Sequence, residues 1–313
     1  MSYFDVVDPN STPREICVFL MNQVGICVSA TQAVTTQELV DKVYQAWFPA
    51  MSGSAKTSRA KKEEILKFFT LWITSPILEF QLKPLHRPFK VLMHWKSLVS
   101  KYGHQCLHDR TFEPIVSFQR NVFVQKWDEM RVEDSRVLQL LYEEAKFNVL
   151  DGRYPVECFE ELAGIQLAIE LGPYNQKFHT RDYLRRMISQ LVGPPHRHMR
   201  PFSGHTVSLQ DLEEKIIYCF KRFGPPVSKV KLYRSYLEVC WPLPYYGSAY
   251  FLGSIERSPK NCLVYNLTLK VWIAVNQIGI HIIEEKRGVS EGRNIFLNRP
   301  SKLCAFCRNF WCL

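Results

Sequence analysis

The sequence has no long hydrophobic run. Its 313 residues contain no stretch of about 18 uninterrupted apolar residues, the length that a membrane-spanning helix needs. The apolar segment 239–255 is broken by Pro242, Pro244, Gly247 and Gly253. The N-terminus lacks both the basic region and the apolar run of a secretory signal. These absences predict a cytoplasmic protein without a transmembrane segment.

Recognisable catalytic motifs are also lacking. The sequence contains neither the glycine-rich loop that holds nucleotide phosphates nor the glycine pattern of dinucleotide-binding folds. The sharp serine turn of hydrolases and the paired histidines of zinc peptidases are missing as well. We therefore predict no enzymatic activity, no catalytic residues and no cofactor.

The ten cysteines suggest a disulfide framework by their number, but not by their positions. Most of them stand singly inside apolar segments, where cysteine serves as a small buried hydrophobic residue. We therefore predict reduced cysteines inside the hydrophobic cores.

Two clusters contain residues that bind metal ions, but neither is complete. His104, Cys106 and His108 lie close together, and residues 304–312 contain three cysteines. A tetrahedral zinc site needs further ligands at matching spacing, and no second set follows either cluster. The sequence therefore predicts no metal site.

The net charge of +10 is concentrated near the C-terminus. Residues 286–313 contain six basic side chains and one acidic side chain, which is half of the excess positive charge. Surfaces that bind single-stranded nucleic acid combine basic residues with aromatic ones, and no stripe of this kind occurs. We therefore predict no nucleic acid among the partners.

Residues 52–62 form a segment of small and basic residues, which is typical of an exposed loop. Its cations Lys56, Arg59, Lys61 and Lys62 suit acidic phospholipids, because each basic residue near an anionic bilayer contributes about 1 kcal/mol. A solvated loop without a ligand explains the same composition. Acidic-lipid contact is thus a candidate role for these four residues.

The first hundred residues have the pattern of a small mixed unit. Four short apolar runs indicate strands: 16–21, 24–30, 68–73 and 78–82. The polar pair Asn22-Gln23 favours a hairpin between the first two runs, and Thr35 or Thr36 caps a helix between the second and third. Strand, strand, helix, strand, strand is the order of a ubiquitin-like roll.

From Phe118 to Cys240 the apolar residues recur at helical spacing. Glycine and proline separate five helical segments: 137–149, 159–169, 184–191, 208–224 and 230–240. One-sided apolar stripes on several helices must bury against one another, so this region is predicted to form a bundle.

After Pro242 the pattern alternates as it does in strands. Alternation covers 250–252 and 271–276, and Gly279 turns the chain into the apolar run 280–283. This region is predicted to begin an antiparallel sheet. Three strands with one apolar face are marginally stable unless something covers that face.

Several ordered motifs resemble FERM domains. Segment 140–155 ends in Gly-Arg-Tyr-Pro, and Leu-Ala at 162–163 and Glu-Leu-Gly-Pro-Tyr at 170–174 follow it. This succession resembles the middle FERM lobe, with its helix, Gly-x-Tyr-Pro break, second helix and Leu-Gly-x-Tyr exit. Three further segments extend the resemblance: 71–84, 118–123 and 241–251. It covers roughly residues 16–285.

The resemblance implies an α+β multi-lobe fold, the FERM cloverleaf. Its lobes are a ubiquitin-like roll at 14–100, an acyl-CoA-binding-protein-like helical bundle at 115–241 and a PH/PTB-like sheet at 242–286. A complete third lobe needs about seven strands and a closing helix, whereas 287–313 resembles no part of the family. We therefore expect an incomplete third lobe with a divergent tail, and no residue of the usual peptide groove can be assigned.

The resemblance also implies a function. FERM modules of this kind are non-catalytic adaptors that bind cytoplasmic tails of membrane proteins, so the chain is expected at the inner face of the plasma membrane. One branch of the family implies tails of inactive rhomboid-like proteins, which escort a surface sheddase, or the tail of a Wnt co-receptor. A second branch implies a small GTPase as the partner.

Overall fold

The structure, a computed structural model, divides into two compact units, Met1–Phe147 and Asn148–Leu313. It describes residues 12–48, 62–63, 65–103, 113–154, 156, 158–192, 209–225, 227–257, 267–284 and 292–293. Among these residues, no helix has both the length and the apolar character required to cross a bilayer.

The first unit is built on a five-stranded sheet. Its strands are β1 (Arg14–Leu20), β2 (Gly25–Ala30), β3 (Phe69–Thr74), β4 (Glu79–Gln81) and β5 (Ile115–Arg120). Their order is β2-β1-β5-β3-β4, with β1 and β5 parallel and the other neighbours antiparallel. The four strands expected in the first hundred residues are thereby confirmed.

The β1–β2 hairpin corrects the expectation for two cysteines. Ile16 and Val18 are buried, so Cys17 between them lies on the solvent-facing side of the strand. Cys17 is directly opposite Cys27, which is also exposed, and the two form a disulfide. The prediction of reduced core cysteines was wrong here, because the strand alternation turns both side chains away from the core.

Helix α1 (Thr36–Trp47) begins where the sequence predicted. Thr35 is its N-cap, and a reciprocal capping box joins Thr35 to Glu38. Leu39 and Val43 are fully buried on the face that packs against the sheet. Two short helices that the pattern did not predict follow β4, namely α2 (Pro88–Met93) and α3 (Trp95–Tyr102).

Strand β5 belongs to the first sheet, whereas residues from 115 onward were expected in the helical lobe. It pairs with β3 along its whole length and runs parallel to β1 at Val18–Leu20. A central strand is covered on both faces, so Val116, Ser117 and Phe118 are all buried and the alternation of a half-exposed strand disappears. The helical period therefore begins after Arg120.

Helices follow β5. In chain order these are α4 (Lys126–Met130), α5 (Ser135–Leu150), α6 (Phe159–Leu171), α7 (Arg181–Met187), α8 (Leu209–Lys221) and α9 (Lys229–Cys240). A π-helical turn, Ile188–Val192, continues α7. The five predicted helices are confirmed as α5 to α9, and α4 is an addition. Gly172, which ends α6, has φ of 81°, a conformation that favours glycine.

The second unit contains helices α6 to α9 and a second sheet. Helix α6 is buried along most of its length and packs against α8 and α9. The sheet has the order β6 (Ala249–Arg257), β7 (Leu267–Asn276), β8 (Gly279–Glu284) and β9 (Gly292–Arg293), all antiparallel. The three predicted strands are confirmed, while β9 lies in the expected divergent tail. The remainder of 287–313 lies outside the described residues.

Candidate functional site

A buried ion pair fixes the segment that joins β5 to α4. The guanidinium of Arg120 pairs with the carboxylate of Glu129, and the two side chains are 4% and 0% exposed. Arg120 also donates to the backbone carbonyl oxygens of Val124 at 2.8 Å and Asn121 at 3.2 Å. One side chain therefore ties both the turn and the helix to the end of the strand.

The same turn is held from strand β4. The Gln81 amide donates from Nε2 to Oδ1 of Asn121 at 3.0 Å, and its Oε1 accepts the backbone N–H of Val122 at 3.0 Å. Oδ1 of Asn121 also accepts the backbone N–H of Phe123 at 3.1 Å. These bonds come from two elements far apart in sequence and fix the backbone of the turn.

This supported segment displays three large apolar side chains, which we call the Trp127 surface. Phe123, Trp127 and Met130 are 53%, 62% and 53% exposed. Trp127 and Met130 are three residues apart in α4 and therefore share one face of the helix. Exposed apolar residues that are grouped rather than scattered mark protein-interaction sites. The Trp127 surface is thus a candidate binding surface on a well-supported backbone.

Sequence reasoning missed the Trp127 surface. Its apolar residues are interleaved with Val122, Val124 and Val132, which are buried. Such a pattern does not reveal which of the two sets faces the core. The available signal was the Phe-x-x-x-Trp-x-x-Met spacing at 123–130, which is the spacing of one helix face. The buried valines do not fall on that face.

Glu144 of α5 is expected to make the free energy of unfolding depend on pH. Its Oε2 accepts the backbone N–H of Arg120 at 2.7 Å. Desolvation raises the pKa of Glu144 to about 7, although the bond from Arg120 opposes the shift. The folded chain then retains a proton at pH values where the unfolded chain has lost it. Its free energy of unfolding therefore falls as the pH rises from about 4.5 towards 7.

We expect Glu144→Gln to remove that contribution. The difference in unfolding free energy between the variant and the wild type should change by up to about 1.4 kcal/mol per pH unit within this window. Urea denaturation of both proteins at pH 5, 6, 7 and 8 measures the difference. Parallel profiles would contradict a raised pKa at Glu144.

In the second unit, four tyrosines connect the helices to the second sheet; we call Tyr154, Tyr245, Tyr246 and Tyr250 the tyrosine junction. The Tyr154 hydroxyl accepts the backbone N–H of Gly247 at 2.9 Å, and the rings of Tyr154 and Tyr246 are 5.8 Å apart. The Tyr250 hydroxyl donates to the carbonyl oxygen of Tyr245 at 3.1 Å. The Gly-x-Tyr-Pro break thus anchors the start of strand β6.

Strand β7 and strand β8 join the same network. Nδ2 of Asn276 donates to the carbonyl oxygen of Pro244 at 3.0 Å, and the ring of His281 packs edge-on against Tyr245 at 5.3 Å. Asn276 and His281 are buried, 9% and 2% exposed. Buried polar groups with satisfied hydrogen bonds specify one arrangement of a segment, so the junction fixes how the sheet begins.

Removing one hydroxyl tests the tyrosine junction. Tyr154→Phe takes away a buried acceptor of the Gly247 N–H, so we expect the free energy of unfolding to fall by about 1–3 kcal/mol. Tyr218→Phe is the matched control, because Tyr218 is 70% exposed and should change stability by less than about 0.5 kcal/mol. Equal effects of the two substitutions in chemical denaturation would show that the junction bond contributes nothing.

The candidate lipid contacts fall mostly outside the described residues. Lys56, Arg59 and Lys61 lie there, whereas Lys62 is described. Nζ of Lys62 is 2.8 Å from the carboxylate of Asp41 and 5.7 Å from the centre of the Tyr44 ring. Its charge is therefore already paired within the first unit.

The described residues contain no group of three or more His, Cys, Asp or Glu side chains that could hold a metal ion. The cluster of His104, Cys106 and His108 and the cysteines at 304–312 lie outside them. Neither cluster was predicted to be a site.

Comparison with known proteins identifies relatives of this chain. Residues 128–251 match the FERM central domain. FERM domain-containing protein 8 of Xenopus laevis is 31% identical over 298 residues, which cover 90% of this chain and 63% of the relative. The human protein of the same name is 33% identical over 237 residues, which cover 71% of this chain and 51% of the relative.

Solved structures show the same fold at lower identity. The MyTH4-FERM region of human myosin 7b aligns with a TM-score of 0.58 at 16% identity, covering 90% of this chain and 52% of that one. The FERM domain of Drosophila Merlin aligns with a TM-score of 0.53 at 16% identity, covering 90% and 79%. The expected α+β FERM fold is confirmed. This chain contains a FERM central domain at residues 128–251, and over most of its length it is similar to FERM domain-containing protein 8.

Proposed function

We propose that the chain is a non-catalytic adaptor that binds the cytoplasmic tail of a membrane protein at the inner face of the plasma membrane. The observation that carries this proposal is its similarity to FERM domain-containing protein 8 across 90% of its length. The chain spans 63% of the length of that relative. Tails of inactive rhomboid-like proteins or of a Wnt co-receptor are the partners to test first.

Structures of related fold support a protein partner. The myosin 7b structure is a complex with the PDZ3 domain of harmonin-a, and the Merlin structure is a complex of its FERM domain with its C-terminal domain. In each case the FERM-containing region is bound to another protein domain. We extend that kind of interaction, but not those particular partners, to this chain.

The Trp127 surface is the contact that we assign to the tail. An adaptor needs an exposed surface whose shape is set before the partner arrives, because ordering it on binding would reduce the affinity. The Arg120–Glu129 pair and the Gln81 amide provide that support for Trp127 and its neighbours. Buried tryptophans are also among the residues that contribute most to binding free energy at interfaces.

The proposal predicts a loss of binding in one variant. The full chain should bind the isolated cytoplasmic tail of an inactive rhomboid-like protein, and Trp127→Ala should weaken binding about 30-fold, equivalent to about 2 kcal/mol. Leu85→Ala is the matched control, because Leu85 is 83% exposed in the turn before α2 and should leave affinity unchanged. Isothermal titration calorimetry measures the affinity of the wild type and of both variants for the tail.

The titration tests the partner and the binding surface separately. If the wild type binds neither the rhomboid-like tail nor the Wnt co-receptor tail, the partner assignment is wrong. If it binds and Trp127→Ala binds equally well, the surface is wrong. A chain that ends at Glu285 should bind as the full chain does, because residues 1–285 contain the assigned surface.

A small GTPase is the second candidate partner, and we assign its contact to strand β2. It is an outer strand of the first sheet, with β1 as its neighbour, and an outer strand can pair with a strand of another protein. A GTPase loaded with a non-hydrolysable GTP analogue should then bind independently of Trp127→Ala. Binding that requires Trp127 would exclude the β2 edge as its site.

We also propose that the basic segment contributes to membrane contact through Lys56, Arg59 and Lys61. Reversing these three charges should reduce sedimentation with vesicles containing phosphatidylserine, and added salt should reduce it further. Because Lys62 is paired with Asp41, reversing Lys62 alone should have a smaller effect on vesicle binding.

A further inference from the structure

The solvent-facing side of the β1–β2 hairpin carries a pair of cysteines that the adaptor function does not use. Cys17 and Cys27 face each other in the antiparallel register, with their Cα atoms 4.1 Å apart and ten positions apart in sequence. Both side chains are exposed, so the disulfide lies on the surface of the sheet. Reagents in solution can reach it directly.

The surroundings of the pair leave that access open. On the same face, Glu15 is opposite Ser29 and Phe19 is opposite Gly25, and all four are exposed. The Phe19 ring lies against Gly25, because a Cβ on that glycine would be 3.3 Å from the ring. The face of the sheet that carries the two sulfur atoms is therefore exposed.

Two of the other described cysteines have a different environment. Cys240 is buried, and burial raises the pKa of its thiol. Cys219 is half-buried, and burial raises its pKa as well. Thiol exchange requires a thiolate that reagents can reach, so these two cysteines are poor competitors of the hairpin pair.

We propose that Cys17 and Cys27 form a reversible redox pair, a modification site that glutathione disulfide oxidises and glutathione reduces. The thiolate of one cysteine attacks a sulfur atom of glutathione disulfide, the bond between the two glutathione sulfurs breaks, and one glutathione thiolate leaves. The thiolate of the second cysteine attacks the protein-bound sulfur and displaces the second glutathione. The two protein thiols lose two protons and two electrons in total, and glutathione disulfide becomes two glutathione molecules.

Oxidation links β2 covalently to β1. Strand β2 is an outer strand, attached to the sheet through its pairing with β1 and through buried Ile26 and Ala30. A bond across this pair fixes the register of the hairpin, whereas the dithiol leaves it to backbone hydrogen bonds and packing. The redox state thus changes how firmly the exposed hairpin is held.

The test uses the full chain in buffers of increasing glutathione disulfide to glutathione ratio. After acid quenching and unfolding, N-ethylmaleimide labels the remaining thiols, and mass spectrometry quantifies each cysteine-containing peptide. We expect labelling of Cys17 and Cys27 to disappear together, to return on adding glutathione, and to be replaced by a peptide linked between them. Labelling of Cys219 and Cys240 should stay constant.

Two variants make the result specific. Cys27→Ser should trap a mixed disulfide of glutathione at Cys17, while Cys219→Ser should respond like the wild type. Circular dichroism checks that Cys27→Ser remains folded, as expected for an exposed position. The proposal is overturned if either hairpin cysteine stays labelled in the most oxidising buffer. Separate glutathione adducts on wild-type Cys17 and Cys27, or a failure of glutathione to restore labelling, would overturn it equally.

Discussion

Replacing Arg120 with methionine is expected to lower the free energy of unfolding by about 3–5 kcal/mol. The substitution leaves the carboxylate of Glu129 in a fully buried position without its guanidinium partner. It also removes the donors that reach the carbonyl oxygens of Val124 and Asn121. An uncompensated buried charge costs far more than the modest net gain from an intact pair, so the single variant should be the damaging one. Equilibrium denaturation followed by circular dichroism measures the loss.

Two controls separate burial from charge. In Arg120→Met/Glu129→Leu neither charge remains, so stability should recover substantially from that of the single variant. Arg181→Met breaks the ion pair with Glu214, whose side chains are 62% and 46% exposed, and should cost less than about 1 kcal/mol. A loss at Arg120 no larger than the loss at Arg181 would contradict the central role of the buried pair.

The Arg120 variant also bears on function. If the Trp127 surface binds the tail, Arg120→Met should weaken binding even at temperatures where the chain remains folded, because the turn and α4 lose their shared anchor. The double variant should regain less affinity than stability, since two apolar side chains do not replace the hydrogen bonds to the turn.

The second large effect is expected at Gly164, where α6 and α8 approach closely. A Cβ at this position would lie 2.6 Å from the Cβ of Cys219 and 3.0 Å from the backbone nitrogen of Phe220. Gly→Ala in an exposed helix is favourable by about 1 kcal/mol, but overpacking against a fixed backbone costs about 1–3 kcal/mol or more. We therefore expect Gly164→Ala to destabilise the chain, and Gly164→Val to destabilise it further.

Gly224 provides the matched control for Gly164. It follows α8, and a Cβ there would have no heavy atom within 4 Å. Gly224→Ala should therefore be neutral or stabilise the chain by less than about 1 kcal/mol. Chemical denaturation of both variants measures whether each substitution raises or lowers the free energy of unfolding. Stabilisation by Gly164→Ala would mean that the two helices are further apart than the structure places them.

Local features were predictable because neighbouring residues determine them. The hairpin turn at Asn22-Gln23 and the cap at Thr35 depend on interactions within a few positions, and both are where the sequence placed them. Helices α5 to α9 followed from their apolar stripes, because such stripes need a partner surface whatever that partner is. The FERM motifs then ordered these elements into lobes.

Features that depend on long-range pairing were predicted poorly. Strand β5 is central in the sheet, and only its neighbours β1 and β3 reveal why it lacks a half-exposed alternation. Cys17 and Cys27 looked like core residues, because the sequence does not state which face of a short strand is covered. The register of β1 with β2 decided both the exposure and the bond.

The candidate site combines features set by neighbouring residues with features set by long-range contacts. The amino-acid sequence alone predicted the FERM resemblance, strands β1 to β4, helices α1 and α5 to α9, and the lack of recognisable catalytic motifs, because these depend on composition and local spacing. The folded chain alone shows that Arg120 and Glu129 are buried together and that Trp127 of the same segment is exposed. Burial is set by contacts between distant parts of the chain, and the pattern around 120–132 is compatible with either face being inside.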